Sequence, residues 1–277
     1  MNFLKAVLST SFFAFSVSAF ADSSLNEATY SIYEDGLAVT TNAASNGVSF
    51  NLNGVPIKIG ITGWSDTGGS NDDKLESGSI QAYYNCTLGK NGCTTANRKV
   101  GYGLQNTESG DGHALDNFTG GNDFDMFLFS FSEAVSLKSA GFSYISGSNG
   151  NSEVTIAGLS DISMFSDSNT TWSDVTGNII AGALGHFGID RTKNDSGLYE
   201  SSFGNDFTQT AKYWLVGAYN TVFDGNNSTH HGVGLKLSSL DISIQNTQQN
   251  TEVSEPGALA LMSLGLGLVL YRRKRRA

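Results

Sequence analysis

Apolar residues recur along this chain with a period of two, and no long stretch carries the 3.6-residue period of an amphipathic helix. Val48, Phe50 and Leu52 alternate with polar residues, and Ile57, Ile59 and Ile61 alternate after Asn53-Gly54, a strong hairpin dipeptide. Pro56 falls near the start of the return strand, where a missing N–H is tolerated. Met126 to Phe131 is large and apolar on both parities, as in a strand buried on both faces. Val135 and Leu137, then Phe142 and Tyr144, predict neighbouring strands, and Val154-Thr155-Ile156 another. Tyr213 to Tyr219 predicts a further buried strand. Val233, Leu235 and Leu237 alternate, as do Leu240, Ile242 and Ile244, with a parity change that predicts a bulge or tight turn at Ser238-Ser239.

Short strands separated by Gly, Asn, Ser and Asp predict an all-β fold, an antiparallel β-sandwich of jelly-roll-like type, over residues 22–245. Asn and Gly make most of the turns, since the chain has only two prolines, one of them in its C-terminal tail. Residues 246–253 are polar and free of aromatics, and predict a flexible spacer.

The two ends differ from this body. Residues 1–21 carry one Lys, an apolar run and Ala19-Phe20-Ala21 before Asp22, the pattern of a signal peptide cut between Ala21 and Asp22. At the other end, residues 257–271 are apolar or small and precede Arg272, Arg273, Lys274, Arg275 and Arg276. As a helix these fifteen residues span about 22 Å, short of the roughly 30 Å hydrocarbon core, a gap that bilayer thinning or snorkelling of the first arginines closes. The basic block predicts a cytoplasmic C-terminus and a body outside the inner membrane, the topology a signal peptide also requires.

Charge sharpens the division. All 26 acidic residues but only 10 of the 16 basic ones lie between Asp22 and Glu255, leaving that stretch at −16. Such a surface excludes nucleic acid and anionic membranes and suits solubility, cations and neutral ligands such as glycans. The only cysteines, Cys86 and Cys93, sit in CTLGKNGC, and an exported chain predicts a local disulfide between them.

Ser254-Glu255-Pro256, the apolar segment and the terminal Arg cluster stand in the order of a PEP-CTERM tail, which the chain resembles from Val253 to Ala277. The first Pro of Pro-Glu-Pro is Ser254 here. GDGHALDNFTGGNDFDMFLFSFSEAVSLKSAGFSY, WLVGAY and GVGLKLSSL resemble segments of exosortase-dependent surface proteins, covering most of Gly101 to Ile244. The resemblance implies a non-enzymatic cell-surface or extracellular-matrix protein of Gram-negative type, associated with exopolysaccharide. The partners it implies are the Sec translocon, signal peptidase, a transient inner-membrane anchorage and an exosortase-type protease. A permanent anchor is the competing reading of the same tail; the Leu264–Leu268 alternation with glycine offers a small-residue helix face in either case.

Candidate chemistry in the body is sparse. Asp111, Asp116, Asp123 and Asp125 cluster among glycines, a composition of turn residues bonding nearby N–H groups and, as the lesser reading, of a structural calcium site. Asp66, Asp72, Asp73 and Glu76 form a second acidic loop. His113, His186, His230 and His231 fall in no metal or hydrolase motif. Trp214, in an apolar strand, predicts a core ring; Trp172, in the polar SDSNTTWSD, predicts an exposed ring for a sugar or else a cap on the fold. A secreted glycan-binding or glycan-cleaving module is therefore the alternative to a structural surface protein.

Overall fold

The structure is a computed structural model, described for residues 26–32, 34, 48–52, 54–66, 72–84, 86–98, 100–106, 114–118, 123–147, 152–225, 232–244, 271–272 and 275. The signal segment, the spacer, Ser254-Glu255-Pro256 and nearly all of the tail lie outside these residues, as do Asp111, His113, His230 and His231. Among the described residues no helix is long and apolar enough to cross a membrane.

Among the described residues the body has twelve strands: β1 (Asn26–Ser31), β2 (Val48–Leu52), β3 (Val55–Asp66), β4 (Leu75–Tyr84), β5 (Val100–Gln105) and β6 (Leu115–Asp116). They continue with β7 (Met126–Ser146), β8 (Glu153–Leu159), β9 (Ile179–Gly188), β10 (Tyr199–Ser202), β11 (Ala211–Ala218) and β12 (Gly234–Ile244). All pairings are antiparallel, so the all-β expectation is met. The sandwich expectation changes in one respect. The order β1-β12-β5-β4-β3-β7-β11-β8-β9 is closed by direct pairing of β12 with β7. The strands β12, β5, β4, β3 and β7 thus form a barrel-like ring, with further strands extending from it.

The 21-residue β7 is what makes closure possible. Its first part, Met126 to Phe131, lies between β3 and β11, and its second part pairs with β12 and β10. The sequence pattern predicted separate strands around Phe131, Val135 and Phe142. Instead the exposed Glu133 and Ala134 mark where one strand passes between two halves of the sheet, with a register shift against β11. No turn residue stops the chain there, so it stays extended.

Alternation along β7 builds two apolar cores. Phe127, Phe129 and Phe131 face the larger one with Ile59, Ile61, Trp214 and Leu240, all fully buried. Met126 and Leu128 face a smaller one with Leu215, Phe165 and Trp172. Trp214 is a core ring as expected, its indole N–H donating to Val135 O at 3.0 Å and Ala211 O at 3.1 Å.

Two local predictions carry through. Leu52 pairs with Val55 across Asn53-Gly54, with Gly54 at φ +91° and its N–H bonded to Asn51 Oδ1. The register of β12 against β7 slips between Leu237 and Ser239, leaving Ser238 as a bulge. Ser238 ties β12 to β5 and to the residue after β1: its Oγ donates to Val100 O at 2.6 Å, and its carbonyl accepts from Ile32 N at 3.0 Å. Gly63 and Gly78 pair where β3 meets β4, and a Cβ on either would lie within 2.6 Å of Leu104 Cδ1. The ring can narrow there only because both positions lack side chains.

Trp214→Ala removes a fully buried ring and leaves two carbonyls short of a donor. It is expected to cost about 3–5 kcal/mol, read as a lowered urea midpoint at unchanged slope.

Candidate functional site

Asp116, Asp123 and Asp125 do come together, with Asp66 from the second acidic loop beside them, and all four are buried. Backbone and amide donors occupy them. Phe118 N donates to Asp116 Oδ1 at 3.2 Å, and Asp116 N to Asp125 Oδ2 at 3.4 Å. Ser65 Oγ donates to Asp123 Oδ1 at 3.0 Å, and Asn106 Nδ2 bridges Ser65 Oγ and Asp125 Oδ1. Among the described residues no group of three or more His, Cys, Asp or Glu is arranged to hold a metal ion. This cluster is a clasp: it closes the turn before β7 against the end of β3.

Asn117 is the clasp's other half. Its Nδ2 donates to Tyr219 O at 2.8 Å and its Oδ1 accepts from Val233 N at 2.7 Å, so one buried side chain joins the segments that follow β11 and precede β12.

Asp66 has an unusual proton. Burial is the main cause pushing its pKa up to about 9, and the Asp123 carboxylate adds to it. The Phe124 N–H, 2.6 Å from Oδ1, and the nearby Trp172 indole favour the ionised form without offsetting the burial. Neither Asp66 Oδ2 nor Trp172 Nε1 completes a well-formed hydrogen bond.

Trp172 corrects the expectation of an exposed sugar-stacking ring, because it is fully buried. Thr171 and Asp174 form a capping box that starts the short helix Trp172–Thr176 and turns the ring inward, edge-on to Phe223 at 5.7 Å. The polar neighbours that suggested exposure are the cap itself, and Asp72 Oδ1 binds the same turn through Ser173 N at 3.1 Å. His186 contacts Thr155 Oγ1 at 2.9 Å and lies 4.7 Å from the Tyr219 ring, a packing role.

A cleft lies elsewhere, a groove of about 640 Å³ on the outer face of β1, β12 and β7. Strand register explains its polarity. Tyr30, Leu240 and Ala140 lie side by side and point into the core. Thr29, Asp241 and Ser139, the adjacent row, point outward, as do Ser31, Ser239 and Gly141 in the row beyond. Thr29 Oγ1 and Ser139 Oγ both donate to the Asp241 carboxylate. Gly141 keeps the floor low, since a Cβ there would sit 2.4 Å from Ser239 Oγ.

Two loops wall the groove. On one side Asn194 to Leu198 makes a tight turn, closed by Asn194 N to Leu198 O and Leu198 N to Asn194 Oδ1, and Asn194 Nδ2 reaches Glu200 Oε2 at 3.1 Å. On the other, Thr95, Ala96 and Arg98 follow the expected Cys86–Cys93 disulfide, which is formed. The Arg98 guanidinium stacks on Tyr84 at 3.0 Å, closing the base of the stapled loop. Sequence reading missed the groove because its residues come from strands and loops over 200 positions apart, and Ser, Thr and Gly there carry no motif.

No protein-family model, curated protein or solved structure matches this chain.

Between the ordinary Asp value and about 9 the unfolded chain has released a proton that folded Asp66 retains, so stability falls as pH rises through that window. Asp66→Asn is expected to flatten that slope between pH 5 and 9, measured as urea midpoints at successive pH values. Asn117→Ala leaves the Tyr219 carbonyl and the Val233 N–H without their partner, and is expected to cost about 2–4 kcal/mol by the same measurement.

Proposed function

We propose that this chain is a non-enzymatic, exported surface or extracellular-matrix protein, delivered by cleavage of its C-terminal tail. The observation that carries the reading is the Cys86–Cys93 disulfide, which persists only in an oxidising compartment. It agrees with the signal-type pattern of residues 1–21 and with the topology implied by Arg272 to Arg276. The three-part tail, Ser254-Glu255-Pro256 followed by an apolar segment and a basic terminus, supports transient anchorage in the inner membrane and removal by an exosortase-type protease.

The body supports a structural role. Its buried carboxylates are engaged in the clasp and turns around β7, and its aromatic rings fill two cores. A closed antiparallel sheet with a net negative surface is suited to persisting outside the cell beside polysaccharide rather than to binding nucleic acid.

Intact-mass analysis of the protein recovered outside the cell tests this. The expected form begins at Asp22, ends near Ser254, and resists alkylation of both cysteines until reduced. Recovery with the Arg272–Arg276 cluster still attached overturns the sorting step, and retention of residues 1–21 overturns export by this route.

A further inference from the structure

We propose that the groove over β1, β12 and β7 is a saccharide-binding site, for a short stretch of an uncharged or amine-bearing polysaccharide. The proposal stands on the groove alone and does not depend on how the protein reaches its destination.

Size comes first. About 640 Å³ falls within the range of sites that enclose most of a small organic ligand. Most such sites are predominantly apolar, whereas polar and apolar surface line this one in about equal measure. Its floor is Thr29, Ser31, Ser139, Gly141, Ser239 and Asp241, with Leu198, Val100 and Ala96 supplying what apolar lining there is. A polyol, with hydroxyls for the polar positions and C–H faces for the apolar ones, matches this lining, whereas a lipid or a purely aromatic ligand would leave the polar groups of the floor without partners.

The hydroxyl hydrogens are also oriented. Thr29 and Ser139 both donate to Asp241, so their oxygens turn lone pairs outward. That makes the floor an ordered set of acceptors for incoming O–H or N–H groups, polarised by a shared carboxylate. Glu200 accepts one bond from Asn194 Nδ2 and has acceptor capacity beyond it. Arg98 adds donors on the facing wall; stacking on Tyr84 fixes its plane, and its buried Nε has no hydrogen-bond partner. Sugar hydroxyls, which both donate and accept, fit this mixture.

Charge sets the class. Among the described residues of the lining Glu34, Glu200 and Asp241 outnumber Arg98, and the whole body is acidic. Uronate, sulfate and phosphate groups would be repelled, while neutral and amino sugars would not.

The disulfide gains a role in this picture. The Cys86–Cys93 loop is small and exposed, so it contributes little to the core. It lies two residues before Thr95, Ala96 and Arg98, and together with the Tyr84–Arg98 stack it restrains that wall of the groove. A preorganised wall lowers the ordering cost of binding.

Full-length protein is applied to an array of immobilised neutral, amino and uronic saccharides, and the strongest neutral or amino oligosaccharide is then titrated by calorimetry. The expected result is saturable binding, weakened about tenfold or more by Asp241→Asn. Ser196→Trp, on an exposed part of the groove rim, is expected to abolish binding while leaving the thermal midpoint in place, which separates blockage from misfolding. Cys86→Ser with Cys93→Ser is expected to weaken binding in a chain that still folds. Absence of binding to any neutral or amino saccharide, binding confined to uronates, or affinity unchanged by Ser196→Trp overturns the proposal.

Discussion

Everything in this fold depends on one strand being buried on both faces while pairing along both edges. β7 runs 21 residues without a break, and its first part alternates phenylalanines toward one core with Met126 and Leu128 toward another. A strand buried in this way cannot leave its backbone groups unpaired, because each orphan costs the full desolvation of a polar group. Neighbours must therefore flank it along its length: β3 and β11 at its start, β12 and β10 farther on. Once β12 pairs with β7 and, through β5, β4 and β3, reaches β7 again, the ring is closed.

The polar residues divide into two populations by what burial demands of them. At the start of β7, Asp116, Asn117, Asp123 and Asp125 are buried; Asp116, Asn117 and Asp125 take up backbone N–H groups where strands end, and Asp123 accepts from the Ser65 hydroxyl. There Asp66 keeps its proton because burial disfavours its ionised form, and the Asp123 carboxylate adds to the effect. On the outer face of β12 the same residue type behaves differently. Asp241 is partly exposed, organises two hydroxyls and borders a groove. One carboxylate population maintains the fold and the other is available to a ligand.

The bulge at Ser238 connects these themes. It shifts parity within β12, so that Leu237 and Leu240 can both face the core while Ser239 and Asp241 face outward. It also reaches β5 through Val100 O and the chain beyond β1 through Ile32 N. Without it, one half of β12 would present its apolar residues to the groove.

Much of the architecture is legible from sequence, because period-two alternation and turn dipeptides act over a few residues. The Asn53-Gly54 hairpin, the buried β7 and β11, the parity break at Ser238-Ser239 and the Cys86–Cys93 pair all follow from such local rules. Strands such as β4 and β9 carry Gly, Ser and Ala in place of strong alternation, and only their neighbours make them strands. Trp172 shows the same limit: its polar neighbours suggested exposure, but a capping box turned the ring inward. The groove lies wholly on the tertiary side. Thr29, Asp241 and Ser139 meet because register aligns three strands distant in sequence, and hydrogen-bond registry between distant segments has no signature in the segments themselves.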